Sequence, residues 1–207
     1  MRRDVLMAMG ELAEDPATLN EAEPFAVQWL KDPGSVDGDT AQIAIELAAR
    51  HATPERLEAL RSSAKQAKTP QDRMIALRGM AAVDDKVLLR RALDLMLTDE
   101  VKMQDLRYFF GTALGRRTSR PVVYEWVKAH WDGLRAKLPG PLGGRLVGVT
   151  GSLCTKLEHD DAESFFTPRA KVIEGASRPL TESLESASLC AELRERGSGA
   201  VSKFFKR

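Results

Sequence analysis

The sequence predicts an all-α protein, a right-handed α-solenoid of stacked antiparallel helix hairpins. Three observations carry that reading. Apolar residues recur at three- and four-residue spacing in one segment after another, the period of a single helix face. Thr53-Pro54 and Thr69-Pro70 stand where two of those segments begin. A threonine there caps free N–H groups, and a proline at the first helical position gives up no hydrogen bond. No stretch sustains apolar–polar alternation with β-branched enrichment, so no strand is predicted.

Val5, Met9 and Leu12 mark a first helix. Ala22, Phe25, Trp29 and Leu30 mark a second, opened by Asn20 with Pro24 in its first turn and ended by Asp32-Pro33-Gly34. Ile43, Leu47 and Ala48 make a third. The Thr53 cap opens a fourth with Leu57, Leu60 and Ala64, and the Thr69 cap a fifth with Met74, Leu77 and Ala81. Asp84-Asp85 opens a sixth, with Val87, Leu88, Leu95 and Met96 apolar. Leu106, Phe109, Phe110 and Ala113 form a seventh. The eighth begins near Ser119, carries Pro121 in its first turn and runs unbroken through Val123, Val127, Trp131 and Leu134 to Leu138. On it, Val127 and Trp131 are expected to form the buried seam, with Trp126 packed at its flank.

Residues 139–144 read as a glycine- and proline-rich loop. After it come Leu146, Val149, Leu153 and Leu157, then Phe165 and Phe166 before Thr167-Pro168. Leu180, Leu184, Leu189 and Leu193 predict a long helix, and Val201, Phe204 and Phe205 end the chain apolar and aromatic. Breaks fall about every fifteen to twenty residues, so two successive helices make a hairpin of the size used in HEAT- and armadillo-like arrays. Residues 1–207 are therefore read as a single helical-repeat domain.

Lys and Arg number 31 against 30 Asp and Glu, a formal net charge of +1. So even a balance supplies no overall drive toward nucleic acid or an anionic membrane, and neither is expected as a partner. Cys154 and Cys190 lie far apart with no Cys-x-x-Cys pair, which reads as two packed thiols in a reduced, intracellular chain. No run of about eighteen apolar residues is present to span a membrane, and no secretory leader opens the chain. The expected location is cytoplasmic.

The search for chemistry gives little. His51, His130 and His159 have no histidine partner four residues away, so the two-histidine zinc helix with its glutamate base is absent. His159 and Glu163 lie one turn apart, but beside Asp160 and Asp161 they read as a solvated helix start. The glycine-rich stretch lacks the Gly-Lys-Ser/Thr ending of a phosphate loop. Arg116, Arg117 and Arg120 form the densest basic group, read as a solvated loop with carboxylate binding as the sharper alternative. No catalytic, cofactor-binding or metal-binding residue is assigned.

The strongest pattern is Gln104-Asp105-Leu106 followed, about one helix later, by Trp126-Val127-Lys128 and Trp131. With it come Leu6-Met7-Ala8-Met9-Gly10-Glu11-Leu12, Trp29-Leu30, Thr69-Pro70-Gln71-Asp72-Arg73, residues 88–93, Phe165-Phe166 and residues 201–205. In this order they resemble the C-terminal HEAT-like helical domain of zinc aminopeptidases of the puromycin-sensitive and endoplasmic-reticulum type, over residues 3–205. One departure is the loop before the eighth helix. It reads Arg-Arg-Thr-Ser-Arg-Pro from Arg116 to Pro121, where the family often has an Asn-Pro-x-Gly turn.

The resemblance implies a non-catalytic domain that covers an active-site chamber and helps gate and position peptide substrates. Zinc and the glutamate base would belong to a catalytic domain of the same polypeptide, outside this chain. Lys102, Arg107 and Tyr108, polar or amphipathic and nearest the strongest motif, are the candidates for facing a bound peptide. The competing reading is a free-standing HEAT-like scaffold that binds a protein partner on its concave face.

Overall fold

The computed structural model describes residues 2–138 and 140–205. Among them all regular structure is helical, with twelve α-helices, five 3-10 stretches and no strand. The chain forms two compact units, Met1–Val122 and Val123–Arg207.

The first unit holds α1 (Arg2–Glu11), α2 (Pro16–Lys31), α3 (Gly38–Ala48), α4 (Pro54–Gln66), α5 (Pro70–Ala81), α6 (Lys86–Asp94) and α7 (Leu106–Gly115). Helices α2 and α3 pair, as do α4 and α5, while α3, α5 and α7 pack side by side as one layer. This is the stacked-hairpin arrangement that the periodicity predicts. Thr53 Oγ1 accepts from the Arg56 N–H at 3.3 Å, and Thr69 Oγ1 from the Asp72 N–H at 3.1 Å, so both expected caps are in place. Trp29, Ile45, Leu47, Leu60, Ile75, Leu77, Met80 and Phe109 fill the core between the layers. Gly79 allows α5 to press close, since a Cβ there would meet Ile45 Cγ2 at 2.5 Å.

Two boundaries differ from expectation. Helix α2 starts at Pro16, capped by Asp15, whose carboxylate accepts from the Thr18 N–H at 2.8 Å. Pro24 consequently lies inside the helix, where its ring removes the bond to the Asn20 carbonyl; its position on the exposed face tolerates this. In α1, Val5, Met9 and Leu12 are all exposed. The helix instead approaches α3 through Gly10, whose missing Cβ leaves room for Leu47.

A charged seam joins the C-terminal ends of the layered helices. Arg50, just beyond α3, donates through Nη1 to the Gly10 carbonyl of α1, pairs with Glu14 at 2.7 Å and reaches Asp84 through Nε at 3.2 Å. Arg116, just beyond α7, donates to the Ala82 carbonyl and to Asp84 Oδ1, both at 2.6 Å. The Asp84 N–H donates to the Arg50 carbonyl at 3.1 Å, and Thr118 Oγ1 adds a bond to Asp84 at 2.9 Å. Both guanidinium groups are buried. They sit where helix carbonyls lack partners and the helix dipole is negative. The three arginines of the loop thus have internal roles or solvent. Arg116 binds this seam, Arg120 donates to the Leu114 and Gly115 carbonyls, and Arg117 is exposed.

Helix α8 (Arg120–Ala129) begins in the first unit and ends in the second, which continues with α9 (Trp131–Lys137), α10 (Pro141–Gly144), a 3-10 stretch Arg145–Ser152, α11 (Lys156–Ala170) and α12 (Ser177–Phe205). The expected single helix through 124–138 is broken at His130, whose φ of −112° and ψ of 22° leave the helical region. The His130 ring stacks on Trp126 at 4.7 Å between centroids. Val127 and Trp131 are buried as expected, but Trp126, expected only at the flank, is buried too. Trp131 meets the edges of Phe165 and Phe166 at 6.3 and 5.3 Å. Part of the predicted loop, Pro141–Gly144, is helical, whereas Pro139 lies outside the described residues. Helix α11 continues through Thr167-Pro168 to Ala170. Helix α12 is long, as predicted, but Ala187 and Ala191 are buried while Leu189 and Leu193 are exposed.

Cys154 and Cys190 form a disulfide, 36 residues apart in sequence. The expectation of two packed thiols is therefore overturned: α11 folds back along α12 and brings the cysteines' Cα atoms to 4.9 Å. Spacing along the chain gives no access to that distance.

Three outcomes are expected. Trp131→Ala should lower stability by about 3–5 kcal/mol in chemical denaturation, since it empties the contact with Phe165 and Phe166. Reduction, or Cys154→Ser with Cys190→Ser, should cost about 3–4 kcal/mol by freeing the closed loop in the unfolded chain. Glu100 is held by Arg61 through two bonds, at 2.6 and 2.7 Å, and by Lys65 at 2.9 Å, which pull its pKa from 4.5 down to about 2. A depressed carboxylate stabilises above its unfolded pKa, and that contribution is lost as pH falls toward 2. Glu100→Gln should cost less than about 1 kcal/mol at pH 7 and flatten the acid limb of stability between pH 4.5 and 2, measured by urea titration.

Candidate functional site

The candidate surface lies on the α3–α5–α7 layer. On α7, Leu106, Phe109 and Ala113 turn into the core, which leaves Arg107 exposed and Tyr108 half-buried. The structure brings these two together. Arg107 Nη2 donates to Tyr108 Oη at 2.6 Å, and its guanidinium carbon lies 4.6 Å from the ring centroid. With its oxygen accepting from Arg107, the tyrosine hydroxyl keeps its own hydrogen for an outside acceptor. Lys102 is exposed ahead of α7, and its ammonium makes no hydrogen bond or ion pair among the described residues, so it is not joined to this pair.

Arg78, from α5, also lies near the ring, 5.9 Å from the Tyr108 centroid. It also pairs with Glu46 of α3 at 3.3 Å. Gln42, one turn earlier on α3, donates to the same Glu46 oxygen at 2.8 Å. A polar row thus crosses three neighbouring helices, from Gln42 and Glu46 through Arg78 to Tyr108 and Arg107. Glu46 is buried and offsets the charge of Arg78, whereas Arg107 keeps its charge at the surface.

Sequence reading missed Gln42, Glu46 and Arg78. A signal for the first two was present: Gln42 and Glu46 stand four apart inside the apolar run of α3, with Arg50 four further on just beyond its end, placing two polar groups on one helix face. Thr112 on α7 lies four residues from both Tyr108 and Arg116, so it continues the polar face of that helix. The buried side-chain atoms without a hydrogen-bond partner among the described residues are Arg78 Nε, Thr112 Oγ1 and Arg116 Nε. All three belong to α5 and to α7 with its C-terminal cap. Nearby, burial raises the Glu11 carboxyl above its usual pKa, opposed by the Arg116 guanidinium 3.7 Å away.

The row holds donors and aromatic surface but no nucleophile paired with a base. It is suited to binding a carboxylate or peptide carbonyl rather than to bond breaking. Among the described residues no three His, Cys, Asp or Glu side chains come together as metal ligands. His51 is exposed, His130 is stacked on Trp126, and His159 bonds Asp160 at 3.1 Å. These residues do not fit a zinc site. Also among the described residues, no helix is long and apolar enough to cross a membrane.

Residues 1–189 match the ERAP1-like C-terminal domain family. The match stops short of residues 190–205, which the resemblance had included. Aminopeptidase M1-A of Oryza sativa subsp. japonica is 29% identical over 199 residues, covering 93% of this chain and 22% of that protein. Alanine/arginine aminopeptidase of Saccharomyces cerevisiae (strain ATCC 204508 / S288c) is 30% identical over 143 residues, covering 66% of this chain and 16% of its own length. Aminopeptidase 2, mitochondrial, of the same yeast is 26% identical over 138 residues, covering 65% and 14%. The chain spans about one fifth or less of the length of these relatives. An all-helical fold of layered hairpins and a match over most of the chain lead to one conclusion: the chain belongs to the ERAP1-like C-terminal domain family found in aminopeptidases.

Proposed function

We propose that this chain is one helical-repeat domain of a zinc aminopeptidase, that it performs no bond breaking itself, and that it covers the active-site chamber and positions peptide substrates. Its first partner is then the catalytic domain of the same polypeptide, and zinc resides there. The reading is supported by family membership and by the names and lengths of the relatives.

The observation that carries the positioning role is the row formed by Arg78, Tyr108 and Arg107. A guanidinium at the surface attracts a peptide carboxylate, and a tyrosine with a free hydroxyl hydrogen gives that contact direction. Arg107 and Tyr108 are proposed as the peptide-facing pair, with Arg78 near the ring from α5. Lys102 stays a candidate only as a separate exposed charge. The cytoplasmic reading leaned on two packed thiols; the Cys154–Cys190 bond removes that support, since disulfides persist in oxidising compartments.

The test uses the full-length enzyme with Arg107→Ala and Tyr108→Phe. Each is expected to lower kcat/KM for peptides of about ten residues by about five- to tenfold, the loss of one hydrogen bond to a charged group. Rates on single-residue amide substrates should be unchanged. Equal effects on both substrate classes, or none on either, would remove the row from the peptide path. A chain that functions without an attached catalytic domain would instead favour the protein-binding scaffold.

A further inference from the structure

The last helix leaves its packing partners behind. Ala187 and Ala191 are the final buried residues of α12, and among the described side chains of residues 192–205 none is buried. The helix nevertheless continues to Phe205. Along this free end the charges separate. Glu195 is the last acidic residue; after it come Arg196, Lys203, Lys206 and Arg207 with no acid among them. Lys206 and Arg207 lie outside the described residues but carry the same charge in the sequence.

The apolar residues of the same segment are large and exposed: Val201, Phe204 at 73% and Phe205 at 81%, the two rings meeting edge to face at 5.3 Å. At about 100° per residue, Arg196 and Lys203 fall about 20° apart around the helix. Val201, Phe204 and Phe205 fall within an arc of about 100° on the other side. Neither Arg196 nor Lys203 makes an ion pair among the described residues. A helix end with one basic face, one aromatic face and no packing partner among the described residues has the chemistry of an interfacial segment.

We propose that the C-terminal end of α12 is a peripheral membrane contact, which lies on the surface of a bilayer containing anionic lipids. The basic face would meet the headgroups, and the phenylalanines would enter the boundary with the acyl chains. A second copy of the segment is a poor occupant, because it brings the same sign of charge to the contact. An acidic protein or a nucleic acid would satisfy the lysines and arginines but gives no reason for two adjacent exposed phenylalanines. The expectation of no membrane partner rested on the net charge of the whole chain, which hides this separation. The segment also lies beyond residues 1–189, which the family matches.

The experiment is vesicle flotation of the 207-residue chain. Vesicles of phosphatidylcholine containing about a third phosphatidylglycerol are compared with phosphatidylcholine alone. Anionic vesicles should bind about tenfold or more tightly than neutral ones, and binding should weaken with added salt. The double variant Phe204→Ser/Phe205→Ser and the single variant Lys203→Glu should each weaken it about tenfold. Their circular dichroism and denaturation midpoint should not change, because the segment packs on nothing. Absence of binding to either vesicle overturns the proposal. So does full binding by the phenylalanine variant, which would leave charge alone as the cause. Equal binding to soluble polyglutamate, with the same loss in Lys203→Glu and none in the phenylalanine variant, would assign the segment to an acidic protein instead.

Discussion

The first unit depends on one carboxylate. Asp84 follows α5 and accepts from arginines that follow α3 and α7, while its own N–H donates to the chain end of α3. Each arginine also donates to a carbonyl at a helix terminus, Gly10 for Arg50 and Ala82 for Arg116. The ends of α1, α3, α5 and α7 are therefore held together by a network centred on a single side chain. Burying charge is costly unless it is paired; here the carboxylate and carbonyl partners come from neighbouring repeats rather than from within one, and Arg116 Nε alone of the two guanidinium groups' nitrogens is buried without a partner among the described residues. Apolar burial between the layers favours stacking in general; the seam fixes how far each hairpin slides along the next.

That constraint also places the candidate surface. Arg50 stands four residues after Glu46, just beyond the end of α3, and Arg116 stands eight residues after Tyr108, just beyond the end of α7. With the helix ends aligned, Glu46, Arg78 and Tyr108 come level across three helices. The row can then combine a neutralised arginine within the layer and a free one at its surface. Burial does the sorting: Glu46 is 4% exposed and answers Arg78, while no carboxylate among the described residues pairs with Arg107.

Much of the helical layout was legible because it is written in local chemistry. Thr53-Pro54 and Thr69-Pro70 start helices for reasons contained in a few residues, and the apolar spacing of Leu57, Leu60 and Ala64 names its own buried face. What failed needed information from elsewhere in the chain. Val5, Met9 and Leu12 form a good stripe, yet α1 docks through Gly10 because Leu47 fills the space a side chain would take. Leu189 and Leu193 look like core, but small alanines allow the close approach in α12. At the site, adjacency in sequence paired Arg107 with Tyr108; the four-residue spacing of Gln42 and Glu46 marked a polar face, but the meeting of Glu46, Arg78 and Tyr108 joins three helices and could not be read from spacing. The salt-bridge partners of Arg116 lie 32 and 105 positions away, which is why a buried strut looked like a solvated loop.

The Cys154–Cys190 bond has a consequence for the chain as a covalent object. It encloses all of α11, the connection after it and the first half of α12. A protease that cuts anywhere inside that ring severs the backbone without releasing a fragment. The connection between the two helices, residues 171–176, is an exposed place for such a cut, with Lys171, Val172, Glu174 and Gly175 open to solvent. The cut protein would run as one species until the disulfide is reduced and as two afterwards. Damage at this connection is therefore silent in an oxidising environment and becomes visible only when the redox state changes.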